Sequence, residues 1–335
     1  MKAYELKPGA QSDPLVLVER PSSPLGPDGV RVRVRAVSLN FRDLTMARGA
    51  RHRTVPIVPV SDGAGEVMEV GAQVTGVRVG DRVAAAFFPT WHSGELSDFH
   101  HANALGGGRD GMLAEEVVLP ASAWVPIPEY LSYGEAATLP CAGVTAYNAL
   151  FEAARLRAGD TVLLQGTGGV SIFALQLARA AGARVVLTSQ SAEKRARAAT
   201  LGAEHTIDYK AHPKWGEAVK AWTQGRGVDL AVEVGGPGTF DQSVVALRYG
   251  GTMSLLGVLT GMKGEVNTYG IFHKGLHIAG VYVGSTAMFE SFNRALQATR
   301  IHPVIDSVFP FAQAKEAYAH LASATHFGKV VISLD

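Results

Sequence analysis

The sequence predicts an α/β protein, with a β-rich part first and a doubly wound parallel sheet after it. Residues 30–38, VRVRVRAVS, alternate apolar and polar side chains, which is typical of a strand with one buried face. From about residue 130, short apolar strands alternate with amphipathic helices, and this alternation indicates βαβ units. A chain of 335 residues leaves room for two domains.

Further strands are predicted at residues 58–70 and 79–87, where Gly and Asp interrupt short apolar runs. Residues 89–111 have no periodicity, so we expect a long surface loop. Residues 131–156 are predicted helical with a break at Pro140. The parallel sheet then follows, and these ranges form its predicted strands and helices: 158–166, 169–183, 184–189, 192–203, 205–209, 228–236, 252–258 and 277–283. The strand at 277–283 is expected to be buried, and residues 311–335, a helix and then a strand, to return to the first domain.

Composition excludes several classes of protein. Lys and Arg together number 31 against 30 Asp and Glu, so the net charge of +1 argues against a nucleic-acid binder or a polybasic membrane protein. The single cysteine, Cys141, permits neither an intrachain disulfide nor a cysteine-rich zinc site, and it fits a reducing compartment. With no apolar run of about 18 residues and a charged N-terminus, the sequence predicts a cytoplasmic protein.

A glycine-rich turn falls between the predicted strand at 158–166 and the helix after it. Gly166, Gly168 and Gly169 allow a tight turn and close backbone approach, and the helix N-terminus offers unpaired N–H groups to an anion. Strand, turn, helix and second strand follow in the order that a dinucleotide pyrophosphate site requires. Ser171 replaces the usual third glycine of that motif and is small enough to keep close packing.

The end of the second strand predicts which dinucleotide binds. An NAD site usually carries Asp or Glu there, whereas residues 188–190 are Thr, Ser and Gln. Lys194, Arg195 and Arg197 follow, and cations beside hydroxyl groups suit a 2′-phosphate. We therefore expect NADP(H) to be preferred over NAD(H). The alternative is that these three cations form a solvated helix face.

Several segments in the same order resemble the medium-chain dehydrogenase/reductase superfamily, and in particular its zinc-free branch, which contains quinone oxidoreductases. They are SLNFRDL at 38–44, VSDGAGEVMEVGAQVTGVRVGDRV at 60–83, GMLAEEVVLP at 111–120, LPCAGVTAYNAL at 139–150, the glycine turn, and FGKVVISL at 327–334. The resemblance implies a Rossmann domain at 127–272, a doubly wound parallel sheet, inserted into a GroES-like β-rich catalytic domain formed by 1–126 and 273–335.

The same resemblance bears on zinc. Zinc alcohol dehydrogenases of this superfamily bind their metal through Cys, His and Cys, with a Glu nearby. The matching positions here are Asn40, the pair Ser61 and Asp62, and Cys141. One ligand of three does not make a zinc site, so we expect no metal.

Without a Lewis acid, the favoured substrates are those that delocalise charge after hydride addition, namely quinones and α,β-unsaturated carbonyl compounds. Asn40 is the first catalytic candidate, because its amide can donate to a developing oxyanion; the alternative is that it stabilises its loop. Asp43 and Ser61 are the other two candidates, the first bracing that loop and the second lining the pocket. A structural turn role remains an alternative for Ser61.

The family pattern also implies the residues that bind the cofactor, and ordinary packing at sheet ends is the alternative for the last seven of them. They are Thr145, Gly166, Gly168, Gly169, Val170, Ser189, Lys194, Tyr209, Val234, Gly235, Leu256, Val258, Val281, Val283 and Lys329.

Two other functions remain open. One is a zinc-free alcohol dehydrogenase or aldehyde reductase with the same cofactor, and the other is an NADPH-binding redox sensor without turnover. The expected partner is a small-molecule substrate, with neither nucleic acid nor membrane. A homodimer is expected because superfamily members commonly pair their Rossmann sheets.

Overall fold

The computed structural model of the protein describes residues 1–10 and 13–334. They form two compact units, residues 1–144 with 283 onward, called unit 1, and residues 145–282, called unit 2. The chain passes between the units after residues 144 and 282, and the predicted domain boundaries, after residues 126 and 272, lie earlier in the sequence.

Unit 1 is built on an antiparallel sheet in the order β14-β15-β3-β4-β5-β7, in which β6 also pairs with β3 and only β14 and β15 are parallel. Its strands are β3 (Gly29–Leu39), β4 (Asp62–Val70), β5 (Arg82–Ala85), β6 (Glu116–Pro120), β7 (Trp124–Pro126), β14 (Ile305–Pro310) and β15 (Lys329–Ser333). A separate hairpin pairs β1 (Lys2–Leu6) with β2 (Leu15–Glu19). The predicted alternation at 30–38 is the central strand β3, and its valines face a core of aliphatic side chains.

The helices of unit 1 connect these strands. They are α1 (Phe41–Gly49), α2 (Asp98–Ala102), α3 (Tyr133–Ala136), α10 (Thr286–Thr299) and α11 (Ala314–Ala322). The end of the chain returns to the first domain as predicted, because β15 lies beside β3 with Val331 opposite Ser38.

Unit 2 is a six-stranded, all-parallel sheet in the order β10-β9-β8-β11-β12-β13. The strands are β8 (Thr161–Gln165), β9 (Arg184–Thr188), β10 (His205–Ile207), β11 (Val228–Glu233), β12 (Leu247–Leu255) and β13 (His277–Gly280). The helices are α4 (Val144–Tyr147), which starts at the boundary, α5 (Gly169–Ala180), α6 (Ala192–Thr200), α7 (Trp215–Trp222), α8 (Pro237–Ala246) and α9 (Tyr269–His273). Every residue of β8 and β11 is buried, as helices on both faces of a parallel sheet require.

Three sequence predictions were wrong in part. Residues 131–156 form two short α-helices and two π-helical turns, Leu139–Gly143 and Asn148–Ala153, rather than a helix with one break. The predicted surface loop at 89–111 contains α2 and buries Trp91 and Leu105. The predicted buried strand at 277–283 is β13, which is largely exposed because it is the last strand of its sheet. Among the described helices, none has the length and apolar character needed to cross a membrane.

Candidate active site

Unit 2 gathers most of the predicted cofactor residues at one edge of its sheet. Parallel strands end at the same edge, and in doubly wound folds this edge is where ligands bind. Those that directly follow strand ends are Gly166 after β8, Ser189 after β9, Val234 and Gly235 after β11, Leu256 after β12 and Val281 after β13. The strand order reverses between β8 and β11, so the sheet has its switch point there.

The glycine turn has room for an anion. Gly166 has φ +68°, and a Cβ added at Gly166 or Gly168 would meet no atom within 4 Å. No side chain caps the N-terminus of α5, whose first residue is Gly169, so its N–H groups remain directed at the space before the helix. The hydroxyl of Ser171, in place of the third glycine, donates to the Gln165 carbonyl oxygen at 2.7 Å. These features fit the phosphates of a dinucleotide.

At the end of β9 the predicted cation cluster is partly neutralised. Arg195 donates through Nη1 to the Ser189 carbonyl oxygen at 2.6 Å and to Asp208 Oδ2 at 2.9 Å. Backbone N–H groups first, and then Arg195, lower the pKa of Asp208. Arg195 is thus an ion-pair partner within the protein, and sequence reasoning missed Asp208. Tyr209 packs against the core of unit 2.

The turn between β11 and α8 is closely packed. Gly236 has φ +87°, and a Cβ on Gly235 would lie 2.1 Å from Thr239 Oγ1. Glu233, the last residue of β11, is fully buried below this turn. Sequence reasoning missed Glu233, because within an apolar strand it carries no motif of its own.

The remaining predicted cofactor residues are distributed over both units. In unit 2, Thr145 is buried on α4, Val170 and Lys194 lie in the first turns of α5 and α6, and Val258 is exposed after β12. Unit 1 contains Val283 and Lys329.

In unit 1 a polar cluster occupies the positions that match the zinc ligands of the family. Lys329 Nζ, at the start of β15, donates to the Leu39 carbonyl oxygen at 2.7 Å and to Asn40 Oδ1 at 2.5 Å. Asp62 Oδ1 accepts from Ser61 Oγ at 2.6 Å and Oδ2 accepts from the Cys141 N–H at 3.1 Å. The Asn40 side chain is near enough to Asp62 to oppose the rise in its pKa, and its Nδ2 donates to the Ser38 carbonyl oxygen at 3.5 Å.

Burial shifts the ionisation of this cluster. It raises the pKa of Asp62, and the Lys329 charge followed by hydrogen bonds from Ser61, Asn40 and Cys141 opposes that rise. It lowers the pKa of Lys329, against the attraction of Asp62. Asp43, which accepts from the Asn40 N–H at 2.8 Å, has its pKa raised to about 6 by burial, against the nearby Arg42 charge.

These donors do not fit a zinc ion. The Asp62 oxygens already accept hydrogen bonds from Ser61 and from the Cys141 N–H, and the buried ammonium of Lys329 occupies Asn40 Oδ1. Burial, and after it the Asp62 charge, raises the pKa of the Cys141 thiol. Among the residues that the structure describes, no three His, Cys, Asp or Glu side chains form a metal-binding group.

The backbone next to this cluster is strained. Val60, immediately before Ser61, is fully buried with φ +70°, a conformation that a β-branched residue rarely adopts. Such outliers collect at functional sites, where the surrounding structure holds them.

Comparisons with known proteins agree with this architecture. Residues 26–129 match a family model described as the alcohol dehydrogenase GroES-like domain, and residues 169–299 match one described as zinc-binding dehydrogenase. A Schizosaccharomyces pombe protein described as zinc-type alcohol dehydrogenase-like is 44% identical, with 93% of this chain and 92% of that protein covered. A Pseudomonas aeruginosa quinone oxidoreductase is 31% identical, with coverage of 98% and 99%.

A solved structure from Sinorhizobium meliloti 1021, provisionally described as an alcohol dehydrogenase, is 40% identical with a TM-score of 0.91 over the whole of both chains. Both domain models, these relatives and this structure point to one family, in which a pyridine nucleotide is the expected cofactor. The chain therefore belongs to the medium-chain dehydrogenase/reductase superfamily of oxidoreductases.

Proposed function

We propose that the protein is a cytoplasmic, zinc-independent, NADP(H)-dependent reductase of quinones or α,β-unsaturated carbonyl compounds. The observation that carries this proposal is the cluster of Lys329, Asn40 and Asp62 at the positions of the family's zinc ligands. The Lys329 ammonium binds the carbonyl oxygen of the Asn40 side chain and can thereby help that amide to stabilise negative charge on a substrate oxygen. It is a weaker electrophile than a metal ion.

Asn40 is the proposed donor to the substrate oxygen. Lys329 holds Oδ1 at 2.5 Å, so the amide is fixed with its NH₂ group directed away from the lysine. A charged donor on Oδ1 polarises the amide and strengthens its own N–H donors. The bond from Asn40 Nδ2 to the Ser38 carbonyl oxygen is 3.5 Å long, so it is readily exchanged for a substrate oxygen.

Asp43 is proposed to hold Asn40 in position rather than to contact the substrate. Its carboxylate fixes the Asn40 backbone, and its complete burial keeps it from the reacting atoms. The Ser61 hydroxyl donates to Asp62, which keeps that carboxylate oriented toward Asn40. When bound, a dinucleotide would supply the hydride; Asn40 would then stabilise the charge that a conjugated substrate spreads over its oxygen, until water protonates it. Because no metal ion takes part in this scheme, it favours conjugated substrates over simple carbonyl compounds.

The preference for NADP(H) is supported by Thr188, Ser189 and Gln190, which put no carboxylate at the end of β9. Asp208 at the end of β10 is paired with Arg195, which reduces its repulsion of a phosphate. Binding of NADPH and NADH, measured by nicotinamide fluorescence, tests the preference. Equal dissociation constants would refute it.

The test of the reaction is steady-state NADPH oxidation by protein treated with a chelator, against a quinone, an enone, an enoyl thioester and a simple aldehyde. Turnover confined to the conjugated substrates is expected. Aldehyde turnover by the chelator-treated protein would assign a zinc-free alcohol dehydrogenase. Tight cofactor binding without any turnover would assign the redox-sensor alternative. Stoichiometric zinc in the untreated protein would refute the metal-free mechanism.

We also propose that the protein is a homodimer that pairs the β13 edges of two copies. Among the described strands, β13 pairs with β12 on one side only. The segment around it exposes large apolar side chains: Val258, Leu259, Met262, Val266, Tyr269, Phe272, Ile278 and Tyr282. An open strand edge beside exposed apolar surface favours pairing with a second sheet.

A further inference from the structure

A buried carboxylate lies at the switch point of the unit 2 sheet. Glu233 Oε1 accepts from the Gly235 N–H at 2.8 Å, the Gly236 N–H at 2.9 Å and Thr239 Oγ1 at 2.5 Å. Its Oε2 accepts from Gln165 Nε2 at 2.6 Å and from Ser243 Oγ. Five donors thus surround a side chain with no exposed surface, and none of the five is a cation. Such a buried charge is tolerated only when hydrogen bonds satisfy it.

Gln165 extends this network to the glycine turn. Its Nε2 also donates to Ser243 Oγ at 2.7 Å, and its Oε1 accepts from the Gly235 N–H at 3.3 Å. Its backbone carbonyl oxygen accepts from Ser171 in the first turn of α5. Because Gln165 directly precedes Gly166, one side chain connects the turn after β8 with the turn after β11.

These two turns flank the point where the strand order reverses. In doubly wound sheets a dinucleotide lies across this point, so its phosphates and its reactive ring contact different turns. The separation of the two turns then determines how well both halves of the ligand are held together. A loosely held turn would lower affinity for the dinucleotide, because the conformational entropy that the turn loses on being ordered would oppose binding.

We propose that Glu233, with Gln165 and Ser243, is a positioning cluster that fixes the β8–α5 turn relative to the β11–α8 turn and thereby sets dinucleotide affinity. Glu233 is a positioning residue, because it is buried beneath the turn and acts through the N–H groups of Gly235 and Gly236. The inference rests on dinucleotide binding by unit 2, and it is independent of which electrophile is reduced.

The decisive variant is Glu233→Gln, which keeps the side-chain volume and replaces one acceptor oxygen by an NH₂ group. In either orientation that group meets an N–H donor, of Gly235 and Gly236 on one side or of Gln165 on the other, so the hydrogen bonds that join the two turns must rearrange. NADPH and NADH dissociation constants are measured by fluorescence titration, at a temperature where circular dichroism shows each variant folded. We expect affinity for the dinucleotide that the wild type prefers to fall by about tenfold or more. The KM for the cofactor should rise accordingly, while kcat at saturating cofactor and the substrate KM stay near wild type.

Asp229→Asn is the matched control, since Asp229 lies at the other end of β11 and also accepts from a backbone N–H and two side chains. It should lower the melting temperature without changing the dissociation constant. If Glu233→Gln does not fold, Ser243→Ala, which removes one donor to Glu233 and one acceptor of Gln165 Nε2, is expected to weaken binding by about threefold. A dissociation constant within twofold of wild type for the folded cluster variant, or equal weakening by Asp229→Asn, would overturn the proposal. Because binding is measured without substrate, failure of the proposed reaction would leave this comparison intact.

Discussion

Asn40 lies between a cation and a carboxylate that reach it from distant parts of the sequence. Lys329 Nζ donates to its carbonyl oxygen at 2.5 Å, so the orientation of the amide is set by the lysine, and Asn40 is near enough to Asp62 to oppose the rise in that carboxyl's pKa. An asparagine that only stabilised its own loop would need neither contact. The proposed role of this amide as a donor to the substrate oxygen makes Asn40 the most informative single residue to change.

Replacing Asn40 by Ala should reduce kcat/KM for a quinone by about 100-fold, the typical effect of losing one oxyanion donor. The dissociation constant for NADPH should stay unchanged. Stopped-flow reduction under single-turnover conditions measures the hydride step directly. Asn103→Ala, which removes an asparagine that caps α2 within the same unit, serves as control. Equal activity of the two variants would contradict the catalytic role of Asn40.

Asp43 predicts a pH dependence of stability. Its pKa is raised from 3.8 to about 6 in the folded protein, so folding binds a proton between these values. Its contribution to the free energy of unfolding is therefore greatest below pH 4 and falls as pH rises through 6, by up to about 3 kcal/mol. Asp43→Asn, which keeps an acceptor for the Asn40 N–H, should remove this slope. Urea denaturation of both proteins between pH 4.5 and 7 gives the comparison, and parallel slopes would refute the assignment.

Local sequence predicted the glycine turn but not the polar cluster. Gly166, Gly168 and the start of α5 are neighbours in the chain, so a motif records their geometry. Lys329 and Asn40 are 289 positions apart, and only the pairing of β15 with β3 brings them together. The family resemblance predicts that Lys329 binds the cofactor. Its hydrogen bonds to Leu39 and Asn40 cannot be predicted from the spacing of residues in the sequence.

At the scale of elements, helix ends decide much of the local structure. One side chain binds carbonyl groups at the end of α8 and at the start of β12, since Lys274 Nζ donates to the oxygens of Val244, Val245 and Leu247 at 2.7 to 2.9 Å. Burial lowers the pKa of Lys274, yet all three of its N–H groups have acceptors. The lysine thus fixes the junction between α8 and β12.

Lys274→Met should lower the free energy of unfolding by about 2 kcal/mol, because it leaves buried carbonyl oxygens without donors. Lys263→Met, at an exposed position of the same unit, should have little effect. Chemical denaturation monitored by circular dichroism measures both. A loss below about 0.5 kcal/mol for the first variant would mean that water replaces the ammonium.

Elements with a clear period were predicted well, and those shaped by their surroundings were not. The alternating valines of β3 and the amphipathic α5 follow from side-chain spacing alone. In residues 131–156, Pro140 removes one backbone donor, and the chain passes it in a π-helical turn whose Cys141 N–H binds Asp62. That turn depends on a partner in β4, which no local pattern contains.

At the scale of the whole molecule, the exposed edge of unit 2 predicts an association. If two copies pair through β13, a charge on that strand should separate them, because it would be buried against a second sheet without a partner. Ile278→Lys is expected to convert a dimer into a monomer with its secondary structure intact. Light scattering after gel filtration measures the mass. Val55→Lys, which charges an exposed apolar position in unit 1, should leave the dimer intact. A monomeric wild type would refute the pairing.

The positions at which the chain passes between the two units, after residues 144 and 282, differ from the predicted domain boundaries. α3 and the turn at Leu139–Gly143 pack against the sheet of unit 1, so residues 127–144 stay with it. β13 pairs with β12, so residues 277–280 stay with unit 2. Contacts between elements set both positions, whereas the predicted boundaries come from a family resemblance, which contains no contacts.

The pairing of β15 with β3 has a consequence for the order in which the protein is made. Unit 2 is continuous in sequence and ends at residue 282, whereas β15 begins only at residue 329, so all of unit 2 is synthesised before β15. Domains fold as units during synthesis, so the parallel sheet can form early. The gap beside β3 is filled only when β15 emerges, and Lys329 arrives with it. The nascent chain thus completes the sheet of unit 2, the proposed dinucleotide site, before the ammonium that binds Asn40 is in place, and a chain that lacks β15 is expected to bind cofactor without reducing substrate.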